Sequence, residues 1–88
     1  MGYDMEYAEI IVKHISRLCQ KKGYSVNKLA SLSGVKQSTL DNIMRGLTKN
    51  PGIITLHKIA NAFNMTLAEF LDFDELNLYS FEDGNDDD

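Results

Sequence analysis

One cysteine, Cys19, excludes an internal disulfide, and no Cys-x-x-Cys or Cys/His pairing offers a metal site. That usage fits a reducing compartment, so the cytoplasm is the expected location. No apolar run approaches the ~18 residues of a membrane span, and the first residues lack the basic-then-apolar order of a leader. No membrane association is expected. No carboxylate pair, nucleophile–base pair or phosphate-cradling glycine loop rises above chance, so neither an enzyme nor a cofactor is expected. Negative charge is scarce in the middle of the chain. From Ile10 to Ala68 the one acid is Asp41, whereas all nine Lys and Arg lie between Lys13 and Lys58, giving that stretch a formal +8. Three acids fall in residues 1–9 and nine in residues 69–88. The net charge of −4 therefore conceals a basic body with acidic ends. Such asymmetry signals a nucleic-acid partner; it also suits termini that keep a small protein in solution.

At 88 residues and 43% hydrophobic content, the chain suits one domain with a modest core. The pattern predicts helices throughout. The first runs from about Asp4, a plausible N-cap, to Lys22, with Ile11, Ile15 and Leu18 as its buried stripe, flanked by Val12 and Cys19, and Gly23 as its stop. His14 falls on its polar side, where a solvent-facing role is expected. Tyr3 and Tyr7 suit packing against the C-terminal segment or a partner chain. Ser25 caps a second helix over residues 26–33, with Leu29, Ala30 and Leu32 as core positions. A third runs from Lys36 or Gln37 to Arg45. A fourth covers residues 53–63, with Ile53, Leu56, Ile59, Ala60 and Phe63 inward and Ile54 outward, exposed or at a dimer contact. Asn64 ends it in a left-handed conformation. Thr66-Leu67-Ala68-Glu69 is a capping box that opens a fifth.

Residues 25–46, SVNKLASLSGVKQSTLDNIMRG, organise the rest. Two helices crossing at about 90–120° need a small residue at their closest approach, and Ala30 supplies it. The turn needs positive φ, and Gly34 supplies that. Leu40 and Ile43, three apart, share one face of the third helix and pack back on the second. The stretch resembles the helix-turn-helix of the phage-repressor-type DNA-binding family (Cro/repressor, XRE-like), and the pattern holds from Ile11 to Leu71. The resemblance implies an all-α, five-helix lambda-repressor-like domain over residues 1–75, with the helix-turn-helix at its second and third helices. Val26 departs from the family, which often has a phosphate-bonding glutamine there.

With Leu40 at zero and about 100° per residue, Ser38, Arg45 and Asn42 fall near 160°, 140° and 200°, opposite the core side. The resemblance implies that Gln37, Ser38, Thr39 and Asn42 face base edges in the major groove. Amides suit adenine, and a hydroxyl bonds several edges. It assigns Lys28, Lys36, Arg45, Lys49 and Asn50 to backbone phosphate, the last two in the loop 47–52. An ordinary polar face and a simple turn are the plain alternatives. Asp41 would repel phosphate or accept from cytosine N4.

Beyond Asp72, Leu76, Leu78, Tyr79 and Phe81 are too apolar for pure disorder. They are expected to pack on the body or a second subunit, either extending the fifth helix or as an extended segment. Residues 82–88, EDGNDDD, are expected to be disordered. The expected function is sequence-specific binding of double-stranded DNA by a homodimeric transcriptional regulator, a repressor. The alternative is a protein-interaction module or antitoxin-like protein, with a protein partner held through the C-terminal segment 76–88.

Overall fold

The computed structural model describes residues 6–81, and among them every regular element is helical. Helix α1 spans Tyr7–Lys22, α2 Val26–Ser33, α3 Gln37–Met44, α4 Ile53–Ala62, α5 Leu67–Leu71 and α6 Asp74–Asn77. The five expected helices are present, and α6 is a further single turn.

The termini follow local chemistry. Helix α1 starts at Tyr7, later than expected. Its entry is fixed by the Glu9 carboxylate, which accepts the Glu6 N–H at 2.8 Å. Asp4, the expected cap, lies outside the described residues. Gly23 closes α1 with φ 73°, and the Tyr24 N–H reaches back to the Cys19 carbonyl at 2.9 Å. The Ser25 hydroxyl caps α2 by accepting the Lys28 N–H at 3.0 Å. Asn64 ends the α4 region at φ 61°, the one non-glycine residue with positive φ among those described. Thr66 and Glu69 form the reciprocal box at the start of α5.

The core joins all five main helices. Ile15, Leu29, Leu40, Ile59 and Phe70 are fully buried, with Ile11, Ile43, Leu56 and Phe63 nearly so. No polar or charged residue is buried among those described. Tyr24 ties the α1–α2 junction to the end of α4: its ring stacks on Phe63, and its hydroxyl donates to the Ala62 carbonyl at 3.4 Å. Burial raises the pKa of the Cys19 thiol, which belongs to this core.

Three expectations for single side chains fail. Leu32 is 47% exposed, because it lies on the flank of α2 away from Ala30, where no described element covers it. Ile53 is 57% exposed, because it is the first residue of α4 and projects past the edge of the core. His14 is not a free surface side chain. Its ring stacks on Phe73 at 3.7 Å and 12°, lies 5.2 Å from Phe70, and its buried Nε2 has no hydrogen-bond partner. Burial pushes its pKa below the ordinary 6.5, opposed in part by the Phe70 backbone.

The C-terminal segment neither extends α5 nor runs as a strand-like tail. It turns at Asp72 and Phe73, then lays α6 on α1, where Arg17 bonds Glu75 at 3.2 Å. Leu76 is partly buried, while Leu78 and Phe81 are exposed. Tyr7 packs on this segment, with Tyr79 edge-on at 4.9 Å. The expectation for residues 82–88 lies outside the described residues.

Candidate nucleic-acid interface

The turn between α2 and α3 sets the geometry of the site. Gly34 has φ 76° and donates its N–H to the Ala30 carbonyl at 3.0 Å, ending α2 in a left-handed step. Ser33 fastens the same corner: its hydroxyl donates to the Ala30 carbonyl at 3.3 Å and accepts the Val35 N–H at 3.2 Å. Sequence reasoning had not singled it out, although hydroxyl residues commonly bond nearby backbone in turns. Val35, Leu40 and Ile43 are buried behind the corner. The opposite side of α3 is therefore held outward by packing on its inner side.

That outer side carries what the sequence suggested. Gln37, Ser38, Thr39 and Asn42 are all exposed on α3. Lys36 stands at the α3 N-cap and Arg45 at its C-cap, both exposed. Lys28 lies exposed on the first turn of α2, and Lys49 and Asn50 lie exposed in the loop that leads to α4. Neither α3 nor α4 has a side-chain cap at its N-terminus. Their first-turn N–H groups, which no intrahelical carbonyl serves, therefore have no side-chain cap either, and no acid in either first turn offsets the partial positive charge of the helix end. Gly46, at φ 77°, terminates α3 and lets the Leu47 N–H bond the Asn42 carbonyl at 2.9 Å, which anchors the start of the loop.

Sequence reasoning missed two features. Gln37 is not free: its amide donates to the Asp41 carboxylate at 3.0 Å, one helical turn away. The one acid of the basic stretch thus orients a residue on the outer face instead of standing alone. Lys13 of α1 lines a groove with Arg45, Gly46, Met44, Val12 and Glu9, which adds a cation from a third helix beside the end of α3. Only the tertiary arrangement, which sets one side of α1 across a groove from the end of α3, brings it there; no local pattern does. No group of three or more His, Cys, Asp or Glu among the described residues could hold a metal ion. No helix among them is long and apolar enough to cross a membrane.

Comparison with known proteins bears on this arrangement. A family model described as helix-turn-helix (HTH_3) matches residues 15–70. The HTH-type transcriptional regulator SlrR of Bacillus subtilis (strain 168) is 41% identical over 63 residues, covering 70% of this chain and 41% of that protein. The HTH-type transcriptional regulator SinR of the same strain is 35% identical over 63 residues, covering 72% and 57%. The chain spans about half the length of the curated relatives it matches. Among solved structures, prophage Lp1 protein 11 superposes with a TM-score of 0.72 at 28% identity, covering 88% of this chain and 97% of that one. A SinR/SinI protein complex superposes with a TM-score of 0.65 at 32% identity, covering 82% and 69%.

Proposed function

The chain belongs to the helix-turn-helix (HTH_3) family, and from that premise we propose that it is a sequence-specific DNA-binding transcriptional regulator, a repressor, that reads the major groove with α3. The observation that carries this reading is the outer face of α3. Gln37, Ser38, Thr39 and Asn42 are exposed there, with Lys28, Lys36, Arg45, Lys49 and Asn50 around them. The amides and hydroxyls suit base edges, and the cations and loop amide suit phosphate. Asp41 holds Gln37 in a fixed orientation before any ligand arrives, which supports a reading role for that amide.

A dimer follows from size. Helix α3 has eight residues, a length of ~12 Å, and covers only a few base pairs. Two copies on half-sites ~34–36 Å apart double the sequence read. The cytoplasm is the proposed location. A second reading, a protein-interaction module, draws on exposed Leu47, Ile53 and Ile54; one structural relative is itself a complex of two proteins.

Selection from random duplexes at about 150 mM salt separates the two. A motif is expected, and Asn42→Ala should relax one position by ~1–3 kcal/mol, while Arg45→Ala weakens all sequences alike. If no motif emerges and affinity stays at the ~10⁻⁴ to 10⁻⁶ M non-specific level, the DNA reading fails and the protein-partner reading replaces it.

A further inference from the structure

Asp41 is the one acid between Ile10 and Ala68, and it stands on the helix proposed to meet DNA. A carboxylate beside a phosphate backbone opposes binding, so its place on α3 calls for a reason. Its contacts supply one. Asp41 is half-buried, and its Oδ1 accepts the Gln37 Nε2–H at 3.0 Å across one turn of α3. Arg45 lies one turn further along, yet it makes no ion pair with Asp41: among the described residues the one salt bridge joins Arg17 to Glu75. The carboxylate is thus held to Gln37 alone, and no such bond fixes the side chains of Ser38, Thr39 or Asn42.

An ionised carboxylate only accepts hydrogen bonds. Gln37 must therefore turn its NH₂ group toward Asp41, since the reverse would set Oε1 against a carboxylate oxygen. The bond decides which end of the amide faces which way, a choice that an unattached glutamine leaves open. One N–H is committed to Asp41. A ligand then meets one N–H beside one carbonyl oxygen, in a fixed order. Gln37 is the first residue of α3, the end that recognition helices direct at base edges. In the major groove, adenine alone presents an acceptor, N7, next to a donor, the N6 amino group. Guanine presents two acceptors, N7 and O6, so one of them opposes Oε1 in any pose where both amide groups meet the base. Relief requires turning the amide over, and that sets Oε1 against Asp41.

We propose that Asp41 is a positioning residue that makes Gln37 select adenine over guanine at one base pair. The proposal rests on the DNA-binding reading above and names the base that one of its residues reads. Asp41 touches no base itself and acts through the amide it holds. A good bidentate match discriminates against the wrong base by ~5- to 150-fold. Water leaves the pair when DNA covers it, which strengthens both the bond and the penalty for reversing it.

The test selects from random duplexes at ~150 mM salt with the wild-type chain, Gln37→Ala, Asp41→Ala, Asp41→Asn and the Gln37→Ala/Asp41→Ala double variant. Gln37→Ala identifies the base pair that Gln37 reads, and duplexes differing only by A or G there are then titrated. The ratio of the two affinities is the readout, so a general gain from removing an acid cancels. Asn keeps the size of Asp but donates as well as accepts, so it permits both amide orders. Wild type should prefer A, and both Asp41 variants should lower the A-over-G ratio about threefold or more, with other positions unchanged within about twofold. In the Gln37→Ala background, Asp41→Ala should change no base preference. An unchanged ratio, a wild-type preference for G, or an Asn variant that keeps the wild-type ratio would overturn the proposal. So would a preference that Asp41→Ala shifts in the absence of Gln37, because Asp41 would then contact a base directly. A motif that survives every Asp41 change sinks this proposal and leaves the DNA reading standing; no motif for wild type sinks both.

Discussion

Replacing Phe70 with alanine should bring the domain close to unfolding. Phe70 is fully buried on a five-residue helix, among the core residues and 5.2 Å from the His14 ring. A buried Phe→Ala change costs ~3–5 kcal/mol, from lost transfer energy and the cavity left behind. At roughly 0.05–0.15 kcal/mol per residue, a chain of 88 residues holds about 4–13 kcal/mol in total. The substitution therefore removes between about a quarter and all of the stability. At ~4–8 °C per kcal/mol, the melting temperature should fall by about 12–40 °C. Urea and thermal unfolding followed by circular dichroism measure both quantities, and an unchanged m-value would confirm that the native state, and not the unfolded chain, was altered. Phe70→Leu keeps most of the volume and should cost under ~1.5 kcal/mol. Phe81→Ala is the control: that ring is 74% exposed, so its loss should cost under ~1 kcal/mol. A cost for Phe70→Ala no larger than that for Phe81→Ala would refute the assignment of α5 to the core.

Gly34→Ala should cost ~1–2 kcal/mol, read by urea unfolding; a Cβ there meets nothing within 4 Å, so the penalty is the left-handed φ of 76° and not a clash. Stability should fall as pH drops below His14's unfolded value of 6.5, since a depressed folded pKa means that the unfolded state takes up the proton first; the loss should level off below the folded pKa and disappear in His14→Phe, measured by urea midpoints from pH 7.5 to 5.

Most of the fold was legible because its requirements are local. Ser25, Gly34, Asn64 and the Thr66–Glu69 box each answer a demand made within a few residues, so spacing alone located the helix ends. Where a neighbour decides, spacing stops helping. Periodicity assigned Leu32 and Ile53 to apolar stripes, but only the packed structure shows which edge of a stripe remains uncovered. His14 looked polar because Phe73, its stacking partner, comes from the far end of the chain. The one-turn helix α6 carried a weak signal in Asp74 and Glu75, acids in a first turn after Phe73, and four residues are too few for periodicity to register. At the candidate interface the outward set on α3 was readable from 100° steps, and the Gln37–Asp41 bond was readable in principle as an i, i+4 pair. Lys13 beside Arg45 was not, since that grouping depends on how α1 lies against the end of α3.

The clasp of α6 on α1 also orders the life of the chain in time. Arg17 and Glu75 are 58 residues apart, whereas the Ala30–Gly34 corner and the helices it joins lie within a short stretch. During synthesis the helix-turn-helix has its own partners early, but the His14 side of α1 waits uncovered until Phe73 to Glu75 have been made. The same piece is the one expected to open first once the protein is folded. Helix α6 fully buries no residue of its own and is held by partly buried Leu76, one exposed ion pair and a ring stack. Its amide hydrogens are expected to exchange before those of the core of α1 to α5, which hydrogen exchange would measure. Its lifetime therefore governs how long the aromatic edge of α1 is offered to a nascent neighbour or a protease.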